Sequence, residues 1–167
     1  MILAYVPFFV GALLIHELGH LAAARACGVE VNEIGLGWGL KLAEFRWHNV
    51  NWAIRILPVG AYVRLDLDEL QRRPLAQQIL IFLAGIVANL VAAALAGGTR
   101  LGAMNFLLAA TNILPFYQQD GWKCGMVMLR GLLSRKSALV EWIFTVVGTG
   151  LSIAVFTALA VRLSQTH

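Results

Sequence analysis

Residues 15–21 contain the side chains whose types and spacing could carry out chemistry, because they read H-E-x-x-H within an apolar run. In a helix, residues four apart differ by about 40° around the axis, so His16 and His20 share one face and can reach one metal ion. Neutral imidazole is a good zinc ligand. Glu17 lies about 100° from His16, where it can act as a general base on a water beside the metal. The alternative, two core histidines and a capped glutamate, is disfavoured because ionisable side chains are costly in an apolar helix.

The composition is that of a membrane protein. Of the 167 residues, 59% are hydrophobic and only 13% are charged, whereas a soluble domain carries about 25% charged residues. The formal charge of +4 does not indicate a nucleic-acid partner, because the basic residues are scattered through loops. Cys27 and Cys124 form no CxxC pair, which predicts two free thiols.

Four stretches are long enough to cross a bilayer, since a helix rises about 1.5 Å per residue and the hydrocarbon core is about 30 Å thick. The predicted spans are 2–26, 75–96, 101–133 and 137–163. The third is interrupted by Pro115 and by polar residues up to Gly121. A broken helix at membrane depth is tolerated only where it is buried in protein or lines a watery cavity. We therefore expect an α-helical polytopic membrane protein with about four transmembrane helices in a single unit.

Asp120 lies in this break and is the candidate third metal ligand. An ionisable residue at membrane depth is a functional candidate by default, and a carboxylate often completes a zinc site that has two histidines. The alternative is that Asp120 caps the restarting helix and that Gly121 provides the turn. Taken alone the two interpretations are equal, but the presence of His16 and His20 favours the ligand.

Residues 29–65 predict a small β-sheet on or partly in the membrane surface. The pattern predicts strand-like alternation over 29–34 that continues to 40, further short strands at 41–47 and 51–57, a turn at 48–49, a break at 58–61 and a polar loop at 66–74. Three glycines alternate with apolar residues in the first strand, which leaves one face bare for another backbone to approach. The sheet could receive an extended substrate by strand addition or could be purely structural, and the sequence favours neither.

The positive charges predict the orientation of the chain in the membrane. Most basic residues fall between the first and second spans or between the third and fourth, whereas only Arg100 and Arg162 fall on the opposite side. By the positive-inside rule, the sheet and the H-E-x-x-H end of the first helix face the cytoplasm, and both termini lie outside. The expected location is the cell (inner) membrane, crossed several times.

Four motifs in order resemble those of the site-2 protease family of intramembrane zinc metalloproteases. They are H-E-x-x-H at 16–20, a P-x-G-G-Y-V-like segment at 57–63, an F-x-A-G-P-x-x-N-like helix at 82–89 and N-x-x-P…D-G at 112–121. Four residues, Ala61, Ile86, Tyr117 and Gln119, depart from the family's pattern. The resemblance runs from about residue 10 to about residue 130.

The resemblance implies roles for six residues. The metal ligands are His16, His20 and Asp120, holding one Zn²⁺ per chain; the catalytic base is Glu17; and the polar residues near the substrate or the developing oxyanion are Asn89 and Asn112. It implies cleavage of a transmembrane protein or peptide substrate in or near its membrane segment, with the sheet presenting that substrate. The chain resembles a minimal form without a PDZ or CBS domain, which a separate membrane partner would have to regulate.

Two other function classes are compatible with the same ligands. The protein could bind or transport a metal in the membrane without cleaving anything, but transporters usually have repeated halves with matching broken helices. We find no such repeat, and a transporter has no need of Glu17 in that register. A non-catalytic, chaperone-like membrane partner is disfavoured because the H-E-x-x-H motif is intact. We therefore expect a zinc metalloendopeptidase.

Overall fold

The computed structural model describes residues 2–133 and 138–165. Within these ranges, a 3-10 turn, Ile2–Tyr5, precedes six α-helices and two β-strands. In chain order they are α1 Val6–Ala26, β1 Val31–Trp47, β2 Val50–Leu65, α2 Leu67–Arg72, α3 Leu75–Leu95, α4 Arg100–Asn112, α5 Asp120–Leu133 and α6 Ala138–Gln165. A proline in the first turn of α1 fits its start, because the first helical N–H groups have no partner within a helix.

Among the described residues, three helices are long and apolar enough to cross a membrane: Val6–Ala26, Leu75–Leu95 and Ala138–Ala158. They correspond to the first, second and fourth predicted spans, apart from residue 137, which lies outside the described residues. The predicted third span is two helices, α4 of 13 residues and α5 of 14. Because neither is long enough to qualify as a span, the total of four transmembrane helices stays a prediction.

The break between α4 and α5 has a local cause. Pro115 cannot donate a backbone hydrogen bond, and Gln118 adopts the left-handed conformation with φ of 69°, which a helix does not accommodate. The chain turns back where Gln119 N–H donates to the carbonyl of Phe116 at 3.0 Å. Asp120 then begins α5. The break thus brings an acidic residue to the start of a new helix.

The two strands are antiparallel and are joined by a turn at His48 and Asn49, with φ of 48° and 62°, which confirms the turn predicted there. Each strand is long and bends, so that Gly35 pairs with both Tyr62 and Ala53. The first half of β1 therefore lies between the two halves of β2. Among the described residues no strand pairs with the other edge of 61–65.

The predicted break at 58–61 is wrong, because β2 continues through these residues to Leu65. Leu36 pairs with Ala61 while Trp38 pairs with Leu57, so β2 has two more residues than β1 across this interval. A bulge absorbs an extra stretch of backbone without ending a strand. Proline and glycine are tolerated at such a position, which is why they do not terminate the strand here.

The bare glycine face of β1 is covered by residues of the same sheet. A side chain at Gly35 would overlap the ring of Tyr62, and one at Gly37, where φ is +90°, would meet the backbone carbonyl of Leu57. The sequence predicts that another backbone approaches this glycine face closely, and the backbone of β2 does so. An extended substrate would have to pair with a strand edge instead.

Residues 66–74, predicted as a loop, contain the short helix α2. The carboxylate of Asp66 accepts hydrogen bonds from the backbone N–H groups of Asp68 and Glu69 at 3.0 and 2.9 Å. These two caps satisfy donors that a helix start otherwise leaves unpaired, which stabilises the helix by about 1 kcal/mol. The prediction of a loop over 66–74 is wrong, because it follows from the polarity of these residues and does not take account of the helix-capping side chain of Asp66.

Helices α1 and α3 pack closely where the H-E-x-x-H motif lies. A side chain at Gly19 would meet the backbone oxygen of Ala84 at 2.6 Å and Cβ of Ala88 at 2.8 Å, so only glycine permits this approach. The buried apolar core joins α1, the sheet, α2 and α3, and includes Leu21, Ala24, Ile34, Leu70 and Ile81. The motif helix is thereby held between the sheet and α3.

Candidate metal centre

Three side-chain atoms converge at the centre of the fold. Nε2 of His16 lies 2.9 Å from Oδ2 of Asp120, and Nε2 of His20 lies 3.1 Å from the same oxygen. The two Nε2 atoms are 3.1 Å apart. All three side chains are buried, and they form a group that could hold a metal ion.

The helix geometry and the chain break together produce this convergence. One turn of α1 separates His16 from His20, and Asp120 comes to them from the first position of α5. Gly85 of α3 lies against both imidazoles, since a Cβ there would be 2.8 Å from Cε1 of His16 and from Cε1 of His20. Glycine at position 85 therefore provides the space that the two rings occupy.

The hydrogen bonds on the far side of each ring determine what faces the site. Nδ1 of His20 donates to the backbone carbonyl of Ile81 at 2.7 Å, and Nδ1 of His16 donates to Oδ1 of Asn89 at 2.6 Å. In a neutral imidazole the other nitrogen then has a free lone pair. Both Nε2 lone pairs thus point at the carboxylate of Asp120.

This donor set fits zinc. Two lone pairs and a carboxylate oxygen, all about 3 Å apart, repel one another unless a cation lies between them. Ligand atoms of a tetrahedral zinc ion, bound at about 2.0–2.1 Å, are about 3.3 Å from each other. Two imidazoles and a carboxylate are also a common protein ligand set for catalytic zinc.

Glu17 shares a cavity of about 190 Å³ with the three candidate ligands. It is only 6% exposed. The cavity wall also includes residues 61–63 of β2, Leu65, Phe82, Asn112, Gln118, Gln119 and Lys123. The cavity therefore has the candidate base, the candidate metal ligands and the edge of a strand on its surface.

The structure brings five of the six predicted site residues to this cavity. Four of them, His16, Glu17, His20 and Asp120, form its buried end, and Asn112 lies on its wall with Nδ2 donating to the carbonyl of Leu108 at 2.9 Å. Asn89 lies elsewhere. It is fully buried on the side of His16 that faces away from the cavity.

Sequence reasoning missed two residues, one that contacts Asp120 and one that contacts Asn89. Lys123 places Nζ 2.8 Å from Oδ1 of Asp120, and its spacing of three residues along a helix was the available signal. Asn105 donates nothing to the cavity but accepts from Asn89 at 2.7 Å. The sequence feature that could have revealed Asn105 was a lone amide side chain in an otherwise apolar helix.

Cys27 and Cys124 are both free thiols, as predicted.

Tyr62 connects the cavity to a charged cluster on the sheet. Its hydroxyl donates to the carboxylate of Glu33 and accepts from the guanidinium of Arg55 at 3.0 Å. The hydrogen bond from Tyr62 lowers the pKa of Glu33 below its usual value, and the nearby Arg64 and Arg55 lower this pKa further. The side chain on the cavity wall is thus anchored by ionic partners.

The chain is similar to a known protein family and to several zinc or membrane metalloproteases. The model of "Peptidase family M50" matches residues 4–100, which is more than half of the chain. This range contains His16, Glu17 and His20, whereas Asp120 lies beyond it.

Among the relatives, "Putative zinc metalloprotease" of Nostoc sp. is 33% identical over 102 residues, which are 54% of this chain and 28% of that protein. "Putative zinc metalloprotease" of Staphylococcus aureus is 37% identical over 73 residues, 44% and 17% of the two chains. "Membrane metalloprotease ARASP, chloroplastic" of Arabidopsis thaliana is 31% identical over 91 residues, 47% and 20%. The matches span less than a third of each relative's length. The H-E-x-x-H geometry, the apolar helices and the family match agree, and the chain belongs to peptidase family M50, the site-2 protease family.

Proposed function

We propose that this protein is a zinc metalloendopeptidase that hydrolyses peptide bonds in or near the transmembrane segments of membrane-protein substrates. The observation that carries the proposal is the shared cavity, in which Glu17 lies beside His16, His20 and Asp120. Zinc would be held by the last three. A metal store or transporter needs the ligands but not a carboxylate that is buried with them and outside the ligand set.

The residues divide the chemistry between them. A bound zinc ion would lower the pKa of water toward about 7 and polarise a peptide carbonyl. Glu17 accepts the proton of the attacking water and then returns it to the leaving amine. Because Glu17 is buried, bulk water competes little for that proton. The amide of Asn112 lies on the cavity wall and is our candidate for binding the developing oxyanion.

The strand edge at 61–65 is our candidate for substrate presentation. Residues 61–63 are on the cavity wall, and among the described residues no strand pairs with this edge on the cavity side. A substrate helix must unwind locally before a peptide bond can reach Glu17. Pairing of the unwound segment with the strand edge would replace the backbone hydrogen bonds it loses.

The proposed setting is a multi-pass protein of the cell (inner) membrane, with the sheet on the cytoplasmic side and both termini outside. The far half of the sheet supports contact with lipid, because several large apolar side chains there are exposed, among them Trp38, Leu40, Leu42, Phe45 and Trp47. Residues 1–167 would act as a single membrane-embedded catalytic unit, and a separate membrane partner would regulate it.

The experiment compares peptide termini in membranes of cells that carry the wild-type protein with those of cells that carry Glu17→Gln. The proposal predicts new termini within or beside transmembrane segments, present only with the wild type. Equal termini in the two cultures, with zinc bound to both proteins, would overturn it in favour of a metal-binding protein that does not cleave. The same comparison identifies the substrate.

A further inference from the structure

Asn89 lies directly behind one of the candidate metal ligands. Its Oδ1 is 2.6 Å from Nδ1 of His16, whereas Nε2 on the other side of that ring faces Asp120. Asn89 is fully buried and is not on the cavity wall. The Asn89 amide therefore contacts a candidate metal ligand, and we do not assign a substrate-binding role to this side chain.

The orientation of the Asn89 amide is determined by backbone atoms. Its Nδ2 donates to the carbonyl oxygen of Ala12 at 3.0 Å. A backbone carbonyl only accepts hydrogen bonds, so the NH₂ group must point toward Ala12 and the amide oxygen must point toward His16. The proton of the His16 ring must then be on Nδ1, which leaves the Nε2 lone pair for the metal.

Asn105 of α4 reinforces this arrangement. It is fully buried, and its Oδ1 accepts from Nδ2 of Asn89 at 2.7 Å. Its own Nδ2 donates to the carbonyl of Leu101, one turn earlier, at 2.9 Å. The same rule applies here, because the carbonyl determines which end of the Asn105 amide faces Asn89. Every N–H donor of the Asn105 amide, the Asn89 amide and the His16 Nδ1 that these contacts include therefore has an oxygen acceptor.

We propose that Asn89 and Asn105 are positioning residues, which hold His16 in the tautomer and ring orientation that binds the metal. The inference rests on the proposed metal site but not on peptide cleavage. His20 provides an internal comparison, because its Nδ1 donates to the backbone carbonyl of Ile81. Substitution of Asn89 removes the hydrogen-bond partner of His16. The partner of His20 is a backbone carbonyl, so His20 keeps its hydrogen bond in the same variant.

The first test replaces Asn89 by leucine, which has a similar volume and cannot hydrogen-bond. Purified protein carrying ¹⁵N-labelled histidine is loaded with zinc, and the ring N–H protons are observed by NMR together with zinc affinity in competition with a chelator. We expect the Nδ1–H signals of both His16 and His20 in the wild type. In Asn89→Leu the His16 signal should be lost to exchange and the His20 signal kept, with zinc affinity about 10- to 100-fold lower.

Asn89→Asp separates positioning of the ligand from simple cross-linking of the helices. Aspartate can accept the proton of His16, as carboxylates do behind many zinc-bound histidines, but it cannot donate to Ala12 or Asn105. We expect it to keep the His16 signal and to bind zinc more tightly than Asn89→Leu. Equal losses in the two variants would overturn the proposal, because the cross-links would then be what matters.

Two further variants complete the design. Asn105→Leu should lower zinc affinity less than Asn89→Leu does, since Ala12 still orients Asn89. Asn112→Leu, also on α4, is the matched control and should leave zinc affinity and both ring signals unchanged, because Asn112 contacts neither histidine by hydrogen bond. A wild type that binds no zinc would overturn the metal site itself, whereas a wild type and an Asn89→Leu variant that bind zinc equally would overturn only the positioning role.

Discussion

Lys123 lies one helical turn beyond Asp120 and places its ammonium nitrogen 2.8 Å from Oδ1 of that aspartate. The other oxygen, Oδ2, faces the two histidines. The carboxylate is therefore divided between a cation on its own helix and the metal site. This contact restrains the carboxylate so that a single oxygen faces the candidate metal site.

Substitution of Lys123 by methionine should weaken zinc binding without abolishing it. A hydrogen bond to a charged group contributes about 1.5–3 kcal/mol, and the Lys123 side chain is 40% exposed, so solvent reduces this contribution. We expect zinc affinity to fall by up to about tenfold, as measured by chelator competition. Lys123→Arg keeps the charge and should recover most of the affinity, and an unchanged affinity in Lys123→Met would contradict the role.

Glu17→Gln should retain zinc and lose peptide cleavage. Glutamine has nearly the same shape, so the neighbouring ligands should stay in place, but its amide cannot accept the proton of the attacking water. Loss of a general base typically slows such a reaction by about 10²–10⁴-fold. Metal content and cleavage of a substrate identified from the membrane termini are measured on the same preparation, and an active variant would remove Glu17 from the mechanism.

Gly85→Ala should disrupt the metal site although alanine favours the helix. The new Cβ would be 2.8 Å from Cε1 of His16 and of His20, so both rings must move. We expect zinc affinity to fall by at least tenfold, in the range found when the environment of a metal ligand is disturbed.

Gly11→Ala is the matched control for this substitution. It is also in a candidate membrane-spanning helix, but its Cβ would make an ordinary contact of 3.6 Å with Leu101, and zinc binding should be unchanged. Equal zinc affinity in the Gly85 and Gly11 variants would show that the rings do not depend on the space at position 85.

Tyr62→Phe should reduce the dependence of stability on acid pH. The pKa of Glu33 is lowered in the folded protein, first by the hydrogen bond from Tyr62. A lowered pKa stabilises the fold above the unfolded-state value, about 4.3, and this stabilisation is lost as the pH falls through the folded-state pKa. Thermal unfolding in detergent at pH 7 and pH 4 should differ less in Tyr62→Phe than in the wild type. Tyr5→Phe is the control and should match the wild type.

Local spacing was sufficient to predict that His16 and His20 share one face of a helix with Glu17 beside them, and to predict the long apolar helices. Residues four apart in a helix share a face whatever surrounds them, so His16 and His20 were paired correctly before any fold was known. Asp120 required a further step, since more than a hundred residues separate it from His16. The broken third span gave the reason to connect Asp120 with the histidines, because a carboxylate at membrane depth needs a partner.

The role of Asn89 could not be predicted in the same way. Its place in the motif marks it as functional, but whether it faces a ligand or a substrate depends on which side of the His16 ring it reaches. That side is determined by the packing of α3 against α1 and by the carbonyl of Ala12, neither of which has a local sequence signal. The continuation of β2 past Pro58 likewise depends on its pairing with β1.

The central claim is that His16, His20 and Asp120 together hold one zinc ion. X-ray absorption at the zinc edge, on purified wild-type protein and on Asp120→Ala, tests it most directly. We predict one zinc per wild-type chain, bound by two imidazole nitrogens and by oxygen at about 2.0–2.2 Å, and a loss of most of the metal in Asp120→Ala. A sulfur ligand at about 2.3 Å, or full zinc occupancy in Asp120→Ala, would contradict the account.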